Sequence, residues 1–304
     1  MRLESTLGPI ELRSPLVAAS GTVGSVVDAE AVIDFSLYGA AVAKSVAGSP
    51  WTGHASPRMA PTEGGMLTAI GIATPGIEAW AAEVGPQLAG LPVPVWGSAV
   101  GNPPDEVAVV AAGYTTAGVA AVEVNLSCPN LEGETMWALA AGLTAEAVGA
   151  VRTATDLPIG AKLSPNAPDV VPIAEAALAA GADWLVLTNT VTGAAIDIDQ
   201  RRPAITRVTG GYSGSGMKPV ALRCVVDVVR ALGPTPIVGT GGVGSAGDAI
   251  EFLMAGASAV GIGTAHFADP KVAKKITRDF ERWCANHGVT SPAELVGVGL
   301  EGVT

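Results

Sequence analysis

The chain has 304 residues, 49% of them hydrophobic and 15% charged, and its 17 Lys+Arg stand against 28 Asp+Glu for a formal net charge of −11. So apolar a composition excludes a disordered chain, and an acidic balance without a Lys/Arg run argues against a nucleic-acid groove or an anionic membrane surface. The mean hydropathy of +0.43 does not imply a membrane span, because the longest uncharged stretch, residues 84–104, carries Pro86, Pro92, Pro94, Pro103 and Pro104 and cannot run as one helix.

The opening MRLESTLGPI lacks the apolar core of a signal peptide, so a cytoplasmic protein is expected. Residues 6–12 read as a small hairpin around Gly8-Pro9, placed to close the bottom of a barrel. From there, short apolar runs rich in Val and Ile alternate with Ala-rich segments that carry helix punctuation. The first run is 16–20, and a helix is predicted over 28–37, ending before Gly39. The second run, 40–45, precedes a long connection in which a helix at 77–87 should be ended early by Pro86. The third run, 93–98, leads to a helix over 105–112 with Asn102 as its cap and a proline just inside. The fourth, 121–125, is followed by a helix over 144–153 capped by Thr144, and the fifth, 158–164, by a helix over 169–180. The sixth, 184–189, opens a second long connection before a helix over 219–232. The seventh and eighth, 236–241 and 259–264, are followed by helices over 247–255 and 270–287.

Continuous apolar runs suit strands buried on both faces of a parallel sheet. Eight of them alternating with helices predict an α/β fold, a (β/α)8 TIM barrel with a short N-terminal β-hairpin, in one domain spanning 1–304. The competing doubly wound sheet usually shows GxGxxG after its first strand, where this chain has Ser20-Gly21-Thr22. Barrel active sites are built from the loops after the strands, so the two long connections are where function is expected.

The residues closing the apolar runs carry the chemistry. In order they are Ser20, Lys44-Ser45, Ser98, Asn125, Lys162, Asn189, Gly241-Gly242 and Gly263-Thr264. A lysine in a barrel mouth needs an anionic or hydrogen-bonding partner to offset its desolvation. The glycine pairs after the last two strands let backbone N–H groups approach an anion, which suits a phosphate ester, although tight turns alone also use glycine. That phosphate could belong to a flavin mononucleotide or to a sugar phosphate; in the latter case Lys162 would serve an aldolase or isomerase as Schiff base. Cys128 lies just past the fourth run, between Asn125 and Asn130, whose amides both donate and accept and suit a planar ligand edged with C=O and N–H groups. The other cysteines, Cys224 and Cys284, sit in amphipathic helical patterns as core residues; with no CxxC, neither a disulfide framework nor a metal site is expected. His54, His266 and His287 have no partner at a catalytic spacing and are assigned no role.

The segment NLSCPN at 125–130 resembles the signature of the class 1 dihydroorotate dehydrogenases. AKLSPN at 161–166, AIDI at 195–198, TGGYSG at 209–214 and KPVALR at 218–223 are similar to the NAD-linked class 1B catalytic subunit, and the likeness runs in order from about residue 8 to 270. The resemblance implies an FMN-binding barrel that oxidises dihydroorotate to orotate in pyrimidine biosynthesis. It makes Cys128 the base that removes the C5 proton while hydride leaves C6 for flavin N5. It sets Lys162 beside the flavin N1/O2 edge, where its charge stabilises the reduced flavin. Ser20, Lys44, Ser45, Ser98, Asn125, Thr188, Gly214, Gly241, Gly242, Gly263 and Thr264 would hold FMN with Lys162. Lys44, Thr68, Ala69, Ile70, Gly71, Ile72, Asn125, Asn130, Asn189 and Thr190 would hold substrate. A homodimer, and a separate electron-transfer subunit with FAD and a [2Fe–2S] cluster, are implied as partners. The chain departs from the family pattern at Thr68, Thr74 and Ser98, each standing where asparagine is usual, which makes another dihydropyrimidine or cyclic amide the alternative substrate.

Overall fold

The computed structural model describes residues 3–127 and 136–302. The chain opens with the expected hairpin, β1 (Ser5–Leu7) and β2 (Ile10–Leu12), and enters the barrel with β3 (Leu16–Ala18). Strand β4 (Ala40–Val42) leads into β5 (Met59–Thr62), β6 (Gly65–Thr68) and helix α1 (Ile77–Val84). Then come β7 (Val95–Ala99), α2 (Pro104–Ala117), β8 (Ala121–Asn125), α3 (Ala141–Ala154), β9 (Ile159–Lys162), α4 (Val171–Ala179) and β10 (Trp184–Leu187). The second long connection holds β11 (Val191–Gly193), β12 (Ile196–Asp197), β13 (Arg202–Pro203) and β14 (Gly210–Ser213). The chain continues through α5 (Lys218–Leu232), β15 (Ile237–Thr240), α6 (Ala246–Met254), β16 (Ala259–Ile262), α7 (Ala265–Ala268) and α8 (Val272–His287).

Strands β3, β4, β7, β8, β9, β10, β15 and β16 pair in that order, all parallel, and close into a barrel. The eight apolar runs are therefore its eight strands, with bounds shifted by at most three residues. The interior is graded. At the bottom, Leu7 and Leu12 of the hairpin cluster with Val17, Val42, Trp96, Trp184, Val186 and Val238. The Trp96 and Trp184 rings lie 5.0 Å apart, a tilted pair of the kind aromatic quadrupoles favour. Higher up, alternate residues of the same strands turn polar: Ser98, Glu123, Lys162 and Thr240 are all buried. Hydrophobic burial holds the lower half together, and polar chemistry is confined to the upper end.

Three expectations are corrected. No α-helix covers 28–37: two single 3₁₀ turns, Val27–Ala29 and Phe35–Leu37, stand there instead. Asp34 breaks the run, taking an extended backbone and accepting from Ser36 N–H, a local bond that competes with helix. Asn102 is not the cap of α2, whose cap position is Pro103 with no side-chain cap bond. Thr144 lies inside α3, buried, with Oγ1 donating to Trp137 O at 3.0 Å.

The two long connections meet. Strands β5 and β6 from the first and β11 and β14 from the second form one antiparallel sheet in the order β11-β14-β6-β5, with Gly211 opposite Thr68 and Tyr212 opposite Leu67. Among the described residues no helix is long and apolar enough to cross a membrane.

Candidate active site

A cavity of about 700 Å³ occupies the C-terminal mouth of the barrel, the end at which such barrels carry their chemistry. Its walls come from the strand ends, and residues of β5, β6 and β14 lean over it. Of the residues singled out from sequence, Ser20, Lys44, Ser45, Thr68, Ile70, Gly71, Ile72, Asn125, Lys162, Thr188, Asn189, Thr190, Gly214, Gly241, Gly242, Gly263 and Thr264 all line it. Two others do not reach it. Ala69 is buried in a small cluster with Ala60, Leu67 and Ile205, and Ser98 is buried beneath Ser45, their hydroxyls 2.8 Å apart. Cys128 and Asn130 lie outside the described residues.

On one side of the cavity, hydroxyls and amides form a connected network. Asn125 Nδ2 donates to Ser45 Oγ at 3.0 Å, and Asn189 Nδ2 donates to Ser127 Oγ at 2.8 Å and to Asn125 Oδ1 at 3.2 Å. Asn189 Nδ2 also lies 3.2 Å from the Ser127 carbonyl, so its amide clamps the segment leaving β8. Thr190 N–H donates to Asn189 Oδ1 at 2.8 Å, which fixes which way that amide points. Asn166 donates to the Thr190 carbonyl at 3.0 Å and to Ser164 Oγ at 2.9 Å.

Lys162 ends β9 opposite Asn125. Its Nζ lies 3.7 Å from Oε1 of Glu123, a carboxylate that sequence reading passed over inside an apolar run. Glu123 is buried, and desolvation pushes its pKa up while the Lys162 charge opposes that shift. Its Oε1 makes no hydrogen bond. A buried pair of this kind holds a cation in place more than it stabilises the fold. Lys44 reaches across to donate to the Ala73 carbonyl, tying the loop over the mouth to the end of β4.

That loop is shaped from outside as well. Gly71 and Ile72 take consecutive left-handed conformations, φ 71 and 54, costly for a β-branched residue. His54, assigned no role from sequence, supports it: its backbone N–H donates to Ile70 O at 3.0 Å, and its Nδ1 lies 3.1 Å from Ala69 O. Thr68 turns its hydroxyl toward Gly211 O at 3.4 Å.

The opposite end of the cavity is built for an anion. A Cβ added to Gly21 or Gly244 would meet nothing within 4 Å, and one on Gly263 would meet only methyl carbons at 3.9 Å. All three glycines line the cavity. Gly242, at φ 83, would drive a Cβ to 2.9 Å from the Gly214 carbonyl, so glycine is required. Backbone N–H groups with no side chain in front suit a phosphate. Lys218 is held by Asp248 at 2.8 Å and Glu251 at 2.6 Å, which raises its pKa.

Comparison with known proteins agrees with this geometry. The family model described as dihydroorotate dehydrogenase matches residues 2–283. The chain is 43% identical over 298 residues to the "dihydroorotate dehydrogenase B (NAD(+)), catalytic subunit" of Trichlorobacter lovleyi, covering 97% of each. Against the Pelobacter propionicus protein of the same description it is 44% identical over 293 residues, covering 96% of each. Among solved structures it is similar to a DHODH from Eimeria tenella in complex with ferulenol, with a TM-score of 0.82 over 99% of this chain and 89% of that one, at 18% identity. That last likeness speaks for the fold.

Proposed function

The chain belongs to the dihydroorotate dehydrogenase family, and from that premise we propose how the residues of its barrel mouth oxidise dihydroorotate to orotate in pyrimidine biosynthesis. Membership sets aside the aldolase and isomerase reading of Lys162. The cofactor is FMN, and the cavity's chemistry fits it: glycines that leave room for a phosphate at one end, a buried lysine and an amide network at the other. When bound, FMN accepts at N5 the hydride that leaves C6 of the substrate.

Gly241, Gly242, Gly263 and Thr264 would hold the phosphate through backbone donors, with Ser20 and Gly214 beside them. Lys162, kept in place by Glu123, presents its ammonium where negative charge develops, the arrangement that contributes most in water-excluded sites. Asn125 spends one amide proton on Ser45, leaving the other for a ligand carbonyl. Asn189 instead directs both protons inward, to Ser127 and Asn125. Its work is to hold Ser127, and with it the point from which the chain continues to Cys128. Cys128 takes the C5 proton at Sγ, so that C5–H and C6–H both break and the C5=C6 double bond forms. That role rests on the resemblance of NLSCPN to the family signature, and a thiol with an ordinary pKa of about 8.5 needs neighbouring donors or cations to act near neutrality.

The carrying observation is one cavity that joins the buried Lys162, the Asn125–Asn189 network and the glycine cradle. Replacing Cys128 by Ser should slow flavin reduction by dihydroorotate about 10²- to 10⁴-fold, the usual scale of general-base catalysis, while FMN stays bound. Stopped-flow reduction at wild-type rate would remove Cys128 from the reaction.

The relatives are described as catalytic subunits, which implies a partner that carries electrons onward. The partner read here bears FAD and a [2Fe–2S] cluster, and the catalytic chain is read as a homodimer. Phe267, 51% exposed beside the cavity, offers apolar surface for an approaching chain. Two free, buried cysteines suit the reducing cytoplasm, and residues 1–304 serve as one FMN-binding domain.

A further inference from the structure

The turn after β3, Ser20-Gly21-Thr22, and the loop after β16, Gly263-Thr264, follow neighbouring strands and both line the cavity. The β3–β16 ladder ends below them, where Ala19 N–H donates to Ile262 O at 2.9 Å. Above that bond the two segments are joined again through side chains. Tyr38 Oη lies 2.7 Å from Nε2 of His266, and Nδ1 of His266 lies 3.1 Å from Thr22 Oγ1. Thr22 Oγ1 in turn donates to the Ala19 carbonyl at 3.0 Å. His266 is buried, on α7, directly after the loop it ties.

Hydrogen-bonding capacity assigns the protons at the Thr22 end. The Ala19 carbonyl can only accept, so the single hydroxyl proton of Thr22 points there. Thr22 Oγ1 must then accept from His266, which carries its proton on Nδ1. Nε2 faces the Tyr38 hydroxyl, which donates to a neutral ring and accepts from a charged one. Burial pushes the pKa of the ring down to about 4, so near pH 7 the imidazole is neutral and its Nε2 accepts from the Tyr38 hydroxyl. Burial also raises the pKa of Tyr38, aided by the nearby Asp34.

We propose that His266 is a positioning residue for the cofactor phosphate, the middle of a Tyr38–His266–Thr22 strut that ties the loop after β16, which carries Gly263 and Thr264 of the phosphate cradle, to the turn after β3. The proposal rests on the FMN reading above. Thr22 itself lines the cavity, and its methyl lies 3.9 Å from where a Cβ on Gly263 would be. Thr22 commits its hydroxyl proton to Ala19, so it contributes spacing, and the backbone N–H groups of Gly241, Gly242, Gly263 and Thr264 remain the donors to the anion. The residues expected at the ring end, Lys162 and Asn125, make no hydrogen bond or ion pair with any member of the strut.

The test compares two ligands that differ only by the phosphate. Full-length protein stripped of flavin is titrated with FMN and with riboflavin, following flavin fluorescence, for wild type, His266→Phe, Thr22→Val and the double variant. The FMN dissociation constant should rise about five- to tenfold in each single variant, the scale of a lost hydrogen bond. The double variant should be no worse than either single one, because one strut is broken only once. Riboflavin affinity should match wild type throughout. Equal losses for both ligands, as a general structural defect would produce, overturn the proposal, as do losses that multiply in the double variant. Wild-type protein binding FMN no more tightly than riboflavin would instead overturn the phosphate-cradle reading, and the strut with it. Should His266→Phe fail to fold, Tyr38→Phe, which removes one hydroxyl, should give the same FMN-selective loss at about threefold.

Discussion

At the scale of single residues, the polar atoms sealed into the barrel are the informative ones. His266 is neutral in the folded protein, with a pKa of about 4 against 6.5 for the free side chain. Between those values the unfolded chain binds the proton and the folded chain does not. Stability therefore rises with pH across this window, and it is lost as pH falls from about 6.5 toward 4. At 1.36 kcal/mol per unit, the loss attributable to His266 by pH 4.5 is about 2–3 kcal/mol. Denaturant unfolding at pH 7 and 4.5 should show a pH effect that is smaller by this amount in His266→Phe, whatever the variant's overall stability. Equal pH effects in the two proteins would mean that His266 does not titrate in this way. Neither His266 nor Glu123 was legible as a site residue. Thr22 is 244 positions from His266, and Glu123 sits in an apolar run whose only hint of function is the charge itself. Lys44, Lys162, Asn125 and Asn189 were legible as residues of the barrel mouth because each interrupts an apolar run at a strand end, and all four line the cavity.

At the scale of elements, the strands were legible and the cover of the mouth was not. Strands buried on both faces must be apolar throughout, and that signal survives without any partner being known. The sheet β11-β14-β6-β5 has no such signal. Its segments, such as Gly65–Thr68 and Gly210–Ser213, are rich in small residues and pair across long stretches of chain. The helix expected over 28–37 failed for a local reason, because Asp34 captures Ser36 N–H instead of continuing the spiral. Strand β9 makes a sharp prediction. A Cβ at Gly160 would stand 2.4 Å from Nε1 and Cε2 of Trp184, in the tryptophan layer below Glu123 and Lys162. Gly160→Ala should cost about 1–3 kcal/mol through overpacking, read as a lowered denaturation midpoint. A Gly160→Ala protein as stable as wild type would show that this layer has slack.

At the scale of the whole molecule, the opening figures acquire a location. The high apolar fraction is the lower barrel, its hairpin plug and the inner helix faces. Scarce charge makes the buried Lys162–Glu123 pair conspicuous, set above the Trp96–Trp184 layer, with Lys162 lining the cavity at the mouth. Apolar support below and an open polar site above together make a base on which a cofactor and a substrate would be held. The measurement that tests this most directly is anaerobic addition of dihydroorotate to the purified, FMN-loaded protein, followed by flavin absorbance. The yellow colour should bleach as orotate forms in equal amount. Flavin that stays oxidised under saturating dihydroorotate, in protein shown to carry FMN, would contradict the account.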